Sequence, residues 1–164
     1  MTIQTNRLTL QPFTADDADF IVELLNSEGF IKHIGDKGVK TREEALAYIE
    51  NGPGASYRDW GYGLYRISIT ATGDVIGMCG LVNRPQLDNV DIGYAFLPAY
   101  WGQGYALEAA QAIMQQAATL DVGPVVAIVN HDNLPSIALL EKLGLRYAQD
   151  WQMSPGDKPL ALYR

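Results

Sequence analysis

The sequence predicts a mixed α+β fold, a mostly antiparallel twisted sheet of about six to seven strands with helices on both faces. Three apolar, β-branched runs at residues 64–70, 75–82 and 90–97 are separated only by short turn-rich segments, the pattern of consecutive antiparallel strands. The third run leads through a glycine-bearing turn into an amphipathic helix and then another strand-like run at 125–129. That order describes a parallel strand–helix–strand unit joined to an antiparallel meander. Two helical patterns precede all of these.

Each element has its own signal. Residues 7–12, RLTLQP, alternate in polarity and put Leu8 and Leu10 on one face, a first strand. Thr14 reads as an N-cap, with Asp16 and Asp17 in the first turn, where the helix dipole favours negative charge. Ala18, Ile21, Val22 and Leu25 form one stripe, so this helix runs to about Asn26. Residues 27–40 carry glycines and no period; they read as a loop with room for a short helical turn, bordering a substrate cleft. Thr41 to Glu44 is a capping box that opens a second short helix ending near Gly52-Pro53, and residues 52–63 read as turns.

Residues 71–74, ATGD, close a hairpin between the next two strands, and residues 83–89 turn the chain into the strand at 90–97. Beyond Pro98, Gly102 and Gly104, apolar residues from Ala106 to Ala117 recur at helical spacing, giving a helix from about Tyr105 to Ala118. The run 125–129 is β-branched except at Ala127, which predicts burial on both faces. Residues 130–133 start a last helix that stops at Gly144, and residues 146–151 and 160–163 pair as closing strands.

Length and composition predict a single domain over residues 1–164. Apolar residues make up 48% of the chain and charged residues 19%, an ordinary globular balance, and no apolar run reaches the roughly 18 residues of a membrane span. The N-terminus has no basic start followed by an apolar stretch, and there is one cysteine, Cys79, so cytoplasmic residence is expected. A net charge of −7 without a basic cluster argues against a nucleic-acid partner. Cys79 reads as buried packing, and His33 and His131 lack the spacing of metal ligands, so no metal is expected.

The stretch from Val90 to Met114 organises the functional reading. A glycine turn at a helix N-terminus presents free backbone N–H groups and the positive end of the helix dipole to one spot, which suits a phosphate or pyrophosphate.

The residues Tyr100-Trp-Gly-Gln-Gly-Tyr-Ala106, followed by Glu108-Ala109, resemble the pyrophosphate-binding motif of the GNAT superfamily of acetyl-CoA-dependent N-acetyltransferases. Trp101 stands where Gln or Arg is usual, a form similar to the Rim-type branch, whose name comes from ribosomal-protein N-terminal acetyltransferases. Asn133-x-x-Ser136 and Glu141-Lys-Leu-Gly-Leu145 resemble that branch's second motif, and the likeness covers nearly the whole chain.

The resemblance implies acetyl-CoA as cosubstrate and a splay between the fourth and fifth expected strands that admits the pantetheine arm. It assigns the pyrophosphate to the amides of Gly102, Gln103, Gly104, Tyr105 and Ala106, and the pantetheine to the backbone of Tyr94, Ala95, Phe96 and Leu97, with Asn133 orienting it. An amide of that strand would stabilise the oxyanion. Asp91 occupies the family's general-base position, with a solvated or hydrogen-bonding strand residue as the alternative. The usual tyrosine acid is replaced by Leu140, and Ser136 is the substitute; both Ser136 and Asn133 alternatively serve to start the helix. Trp60, Tyr62, Tyr94 and Tyr100 read either as lining the acceptor cleft or as core, the commoner place for aromatic strand residues, and Glu108 reads as a surface or capping charge.

The implied activity is direct transfer of acetyl to a primary amine, either a protein N-terminus or a small molecule, by a monomer or homodimer. No membrane partner is expected. The alternative is a catalytically weak acyl-CoA-binding or sensing module.

Overall fold

Leu8 and Leu10, alternate residues of the first long strand, are both fully buried, and the sheet they begin divides the molecule into layers. The computed structural model describes residues 1–164. In chain order the elements are β1 (Ile3–Gln4), β2 (Leu8–Pro12), α1 (Ala18–Leu25), α2 (Glu28–His33), α3 (Arg42–Ile49) and α4 (Ala55–Trp60). They continue with β3 (Leu64–Ile69), β4 (Val75–Val82), β5 (Asp91–Phe96), α5 (Tyr105–Leu120), β6 (Ala127–Val129), α6 (Leu134–Lys142), β7 (Tyr147–Trp151) and β8 (Leu160–Tyr163).

Strands β1 to β5 form one antiparallel sheet in sequence order, and β6, β8 and β7 form a second sheet with β8 in the middle. The two meet at one point, a parallel bridge between Asp91 and Val126, where the Ile92 amide donates to Val126 at 2.9 Å and the Val126 amide donates to Val90 at 3.0 Å. Beyond that bridge β5 and β6 part, which is the expected splay. One face of the sheet carries Leu8, Ile67, Cys79 and Ile92 against Ala109, Ala110 and Ile113 of α5. The other carries Met78 against Ile21, Leu24 and Phe30 from α1 and α2 and Ala45 from α3.

Three details differ from the sequence reading. There are eight strands, because the two-residue β1 pairs with β2 through Ile3 and Leu10, too short a run to show alternation. Residues 28–33 are a complete short helix. The segment read as turns after Gly52 is instead helical: α3 widens into a π turn at Glu50–Gly54, which takes in Pro53, and continues as α4 to Gly61 at φ +79°. Proline has no N–H to give an i→i−4 ladder, and a widened turn accommodates it without ending the helix.

Candidate active site

The strand β5 delivers the chain to the glycine turn with its backbone already oriented. Ile92 donates toward β6, so by alternation the N–H and C=O groups of Tyr94 and Phe96 face the opening while those of Ala95 face β4. The Leu97 amide is committed to Ile76 at 2.9 Å. Of the four strand residues assigned to pantetheine, Tyr94 therefore turns its N–H and C=O and Phe96 its N–H toward the splay, the Phe96 carbonyl accepting the Trp101 indole, whereas Ala95 faces β4 and Leu97 gives its amide to Ile76 and its carbonyl to Tyr100 at 3.0 Å.

After a 3-10 turn at Pro98–Tyr100, the chain passes through Gly102 at φ +75° and Gly104 at φ +82°, both in the region where a side chain is strained, and enters α5. The amides of Gly102, Gln103, Gly104, Tyr105 and Ala106 have no protein acceptor. Five free N–H groups lie at the end of the 16-residue α5 where its dipole is positive, an arrangement suited to a diphosphate.

Asp91 opens β5 beside the bridge to β6 and is 1% exposed. Its carboxylate is buried against Arg84, whose Nε lies 3.1 and 3.3 Å from its two oxygens. Burial pushes the Asp91 carboxyl above its ordinary pKa, and the Arg84 charge opposes that rise without cancelling it. On the opposite face of β5, the Tyr94 and Ser136 hydroxyls are hydrogen-bonded at 2.5 Å, joining β5 to the first turn of α6. Burial raises the Tyr94 phenol to about 12. Asn133 caps α6 by accepting the Ser136 amide at 3.4 Å, which leaves its Nδ2 without a protein partner. Leu140 is buried in the core.

Comparison with known proteins decides what this geometry belongs to. The family model for the acetyltransferase (GNAT) domain matches residues 7–146. The chain belongs to the GNAT acetyltransferase family. This acetyltransferase is 30% identical over 130 residues to the uncharacterized protein YkkB of Bacillus subtilis (strain 168), covering 77% of this chain and 73% of that one. Among solved structures it is similar to an acetyltransferase from Agrobacterium tumefaciens str. C58, at 26% identity and TM-score 0.81 over 99% of this chain and 92% of the other. RimL, a ribosomal L7/L12 alpha-N-protein acetyltransferase in complex with coenzyme A, shares the fold at TM-score 0.84 and 17% identity, over 99% and 96% of the two chains.

Three residues of the acetyltransferase take on parts that their sequence context did not announce. Trp101, at the variant position of the glycine motif, donates its indole N–H to the Phe96 carbonyl. Glu108 is no free surface charge: its carboxylate accepts from the Thr5 hydroxyl at 2.5 Å and from the Arg7 amide and Nε at 2.8 Å each. Arg7 also donates to the Gln103 carbonyl at 3.0 Å and lies over the Tyr105 ring, so the residue leading into β2 clamps the turn. Arg84 is the third, marked in the sequence only by its place in a turn. Of the other aromatic residues, Tyr62 is core and Trp60 is exposed. Cys79 is fully buried, and burial raises its thiol pKa well beyond the ordinary range.

No helix is long and apolar enough to cross a membrane.

Proposed function

We propose that this chain is an N-acetyltransferase of the Rim type that moves acetyl from acetyl-CoA to a primary amine within one domain spanning residues 1–164. The observation that carries the reading is the set of five unpartnered turn amides placed beside the open edge of β5. Gly102, Gln103, Gly104, Tyr105 and Ala106 hold the pyrophosphate, and Tyr94 and Phe96 offer strand hydrogen bonds to pantetheine, with the free Nδ2 of Asn133 as a further donor. The acceptor is a protein N-terminus or a small-molecule amine; neither a nucleic acid nor a membrane takes part, and the enzyme works as a monomer or homodimer in the cytoplasm.

In the reaction, the amine nitrogen attacks the thioester carbonyl carbon. The tetrahedral intermediate places negative charge on oxygen, where a free β5 amide stabilises it, a contribution worth roughly 3 kcal/mol. The C–S bond then breaks. Asp91 takes the proton lost by nitrogen, through water, and its raised pKa makes it a stronger base than an ordinary aspartate. The Ser136 hydroxyl, coupled to Tyr94, returns a proton to the departing thiolate.

The test is acetyl-CoA-dependent thiol release across a panel of peptides and small amines, with mass spectrometry of the products. Acceptor-dependent release with a 42 Da gain on the amine, the mass of an acetyl group replacing hydrogen, is expected from the chemistry. CoA binding without turnover of any amine would overturn the reading in favour of an acyl-CoA-binding module, the outcome that Leu140 at the tyrosine position would then explain.

A further inference from the structure

Arg7 meets the glycine turn and the helix behind it at several points. Its Nη1 donates to the Gln103 carbonyl at 3.0 Å, its guanidinium lies 4.4 Å from the centre of the Tyr105 ring, and its Nε pairs with Glu108 at 2.8 Å. The remaining nitrogen, Nη2, stands 3.3 Å from where a Cβ on Gly104 would be.

The bond to Gln103 fixes a direction as well as a distance. No peptide bond in the chain is cis, and in a trans peptide the C=O and the following N–H point to opposite sides. By holding the Gln103 oxygen, Arg7 turns the Gly104 N–H away from itself, to the side where that N–H has no protein acceptor. Without such a hold the peptide would swing readily, because Gly104, at φ +82°, lacks the Cβ that restricts other residues. Arg7 is the restraint that the glycine itself cannot supply.

The pair with Glu108 meets a different need. Glu108 lies in the first turn of α5, so its carboxylate competes for the positive end of the helix and repels an anion bound there. Both of its oxygens are engaged, Oε1 by Arg7 Nε and Oε2 by the Thr5 hydroxyl and the Arg7 amide. The guanidinium thereby offsets a negative charge beside the free amides.

We propose that Arg7 is a positioning residue of the donor site: it aims the Gly104 N–H at the diphosphate of CoA and screens that diphosphate from Glu108. This rests on the reading of the turn as the pyrophosphate seat. Arg7 acts without touching the ligand, through a backbone amide and through a carboxylate. In a chain of net charge −7, a seat built of backbone N–H groups draws part of its affinity from a cation 96 positions away from the carbonyl it holds.

Calorimetric titration with CoA compares wild type, Arg7→Gln, Glu108→Gln and the double variant. Arg7→Gln loses the aim and bares the carboxylate, so its CoA affinity is expected to fall about tenfold or more. In the Glu108→Gln background no carboxylate is left to bare, and the same Arg7→Gln change should weaken CoA only about threefold. The excess loss seen with Glu108 present should shrink as salt rises from about 0.02 to 0.5 M, which a loosened fold would not show. The proposal is overturned by an Arg7→Gln variant that binds CoA as wild type does, by equal losses or no loss in the Glu108→Gln background, or by an excess indifferent to salt. If Arg7→Gln does not fold, Arg7→Lys decides, since it keeps the charge but not the fork. A loss of about threefold that salt leaves unchanged upholds the aiming role, and wild-type affinity overturns it. A wild type that binds no CoA overturns the pyrophosphate seat and the proposal with it, whereas CoA binding indifferent to Arg7 overturns the proposal alone.

Discussion

The indole N–H of Trp101 donates to the carbonyl oxygen of Phe96 at 2.8 Å, tying the glycine turn to the last residue of the strand that feeds it. The far edge of the same ring lies over Gly29 in α2, where an added Cβ would sit 2.3 Å from a ring carbon. One side chain therefore fixes the spacing between the turn, the strand edge and α2. Trp101→Phe keeps an aromatic ring but removes the donor, at a cost of about 1 kcal/mol in stability. CoA affinity is expected to drop roughly threefold to tenfold as the turn loosens. Thermal unfolding and calorimetric titration with CoA measure the two effects, and an unaltered affinity would remove Trp101 from the positioning role.

Gly104→Glu should nearly abolish CoA binding. The residue sits at φ +82° at the mouth of α5, so any side chain brings roughly 1–2 kcal/mol of left-handed strain, and a carboxylate adds repulsion toward a diphosphate. Gly104→Ala carries the strain and the 3.3 Å approach of a Cβ to Arg7 Nη2 without the charge, and serves as the control. A folded Gly104→Glu variant with CoA affinity equal to that of Gly104→Ala would show that the pyrophosphate lies elsewhere.

Tyr94→Phe and Ser136→Ala probe the hydroxyl pair. If the pair supplies the thiolate's proton, each variant lowers kcat roughly tenfold to hundredfold and spares the KM for acetyl-CoA; a thiolate leaves readily, so the effect lies low in the range of general acids. The phenol, raised to about 12, stays protonated throughout the working range, so the wild-type rate should show no alkaline loss attributable to Tyr94 below pH 10. Losses in kcat matched by equal rises in KM would mark the pair as part of the binding surface instead.

The Glu108 clasp carries a pH signature. Burial pushes its carboxyl upward, but the Thr5 hydroxyl and the Arg7 side chain and amide outweigh burial and hold the pKa below its ordinary value. The folded state thus binds this proton less readily than the unfolded chain, whose glutamate titrates near ~4.3. The stabilisation is complete above that value and is lost as the pH falls through the depressed folded one. Glu108→Gln should cost about 1–2 kcal/mol at neutral pH. Wild-type Tm should then decline more steeply than the variant's as the pH falls below about 5. Parallel declines would contradict the linkage.

The parts of the fold readable from sequence are those whose signals lie within a few residues. The Thr14 and Thr41 caps both form as capping boxes, and Gly144 ends α6 at φ +91°. The glycine turn is local as well. Helix α4 is not legible, because Gly52-Pro53-Gly54 signals a break and the forces that carry the helix across it are tertiary. Tyr57 stacks on Tyr65 at 5.6 Å and its hydroxyl bonds Leu64 and the Phe13 amide, none of which the segment itself encodes. The site divides in the same way. The free turn amides follow from one short motif, but Tyr94 meets Ser136 across 42 positions of sequence, and Arg84 meets Asp91 through the geometry of a turn. Pairings between separated residues depend on register and rotamer, which hydrophobic period does not specify.

The place of β8 between β6 and β7 has a consequence for biosynthesis. Both outer strands of that sheet leave the ribosome before the strand that must join them, so neither has a partner within the sheet until residues 160–163 emerge. The five-stranded sheet, by contrast, assembles from neighbours in order. A nascent chain therefore acquires the β5 wall of the cleft between β5 and β6 first, and the opposite wall only once residues 160–163 have emerged.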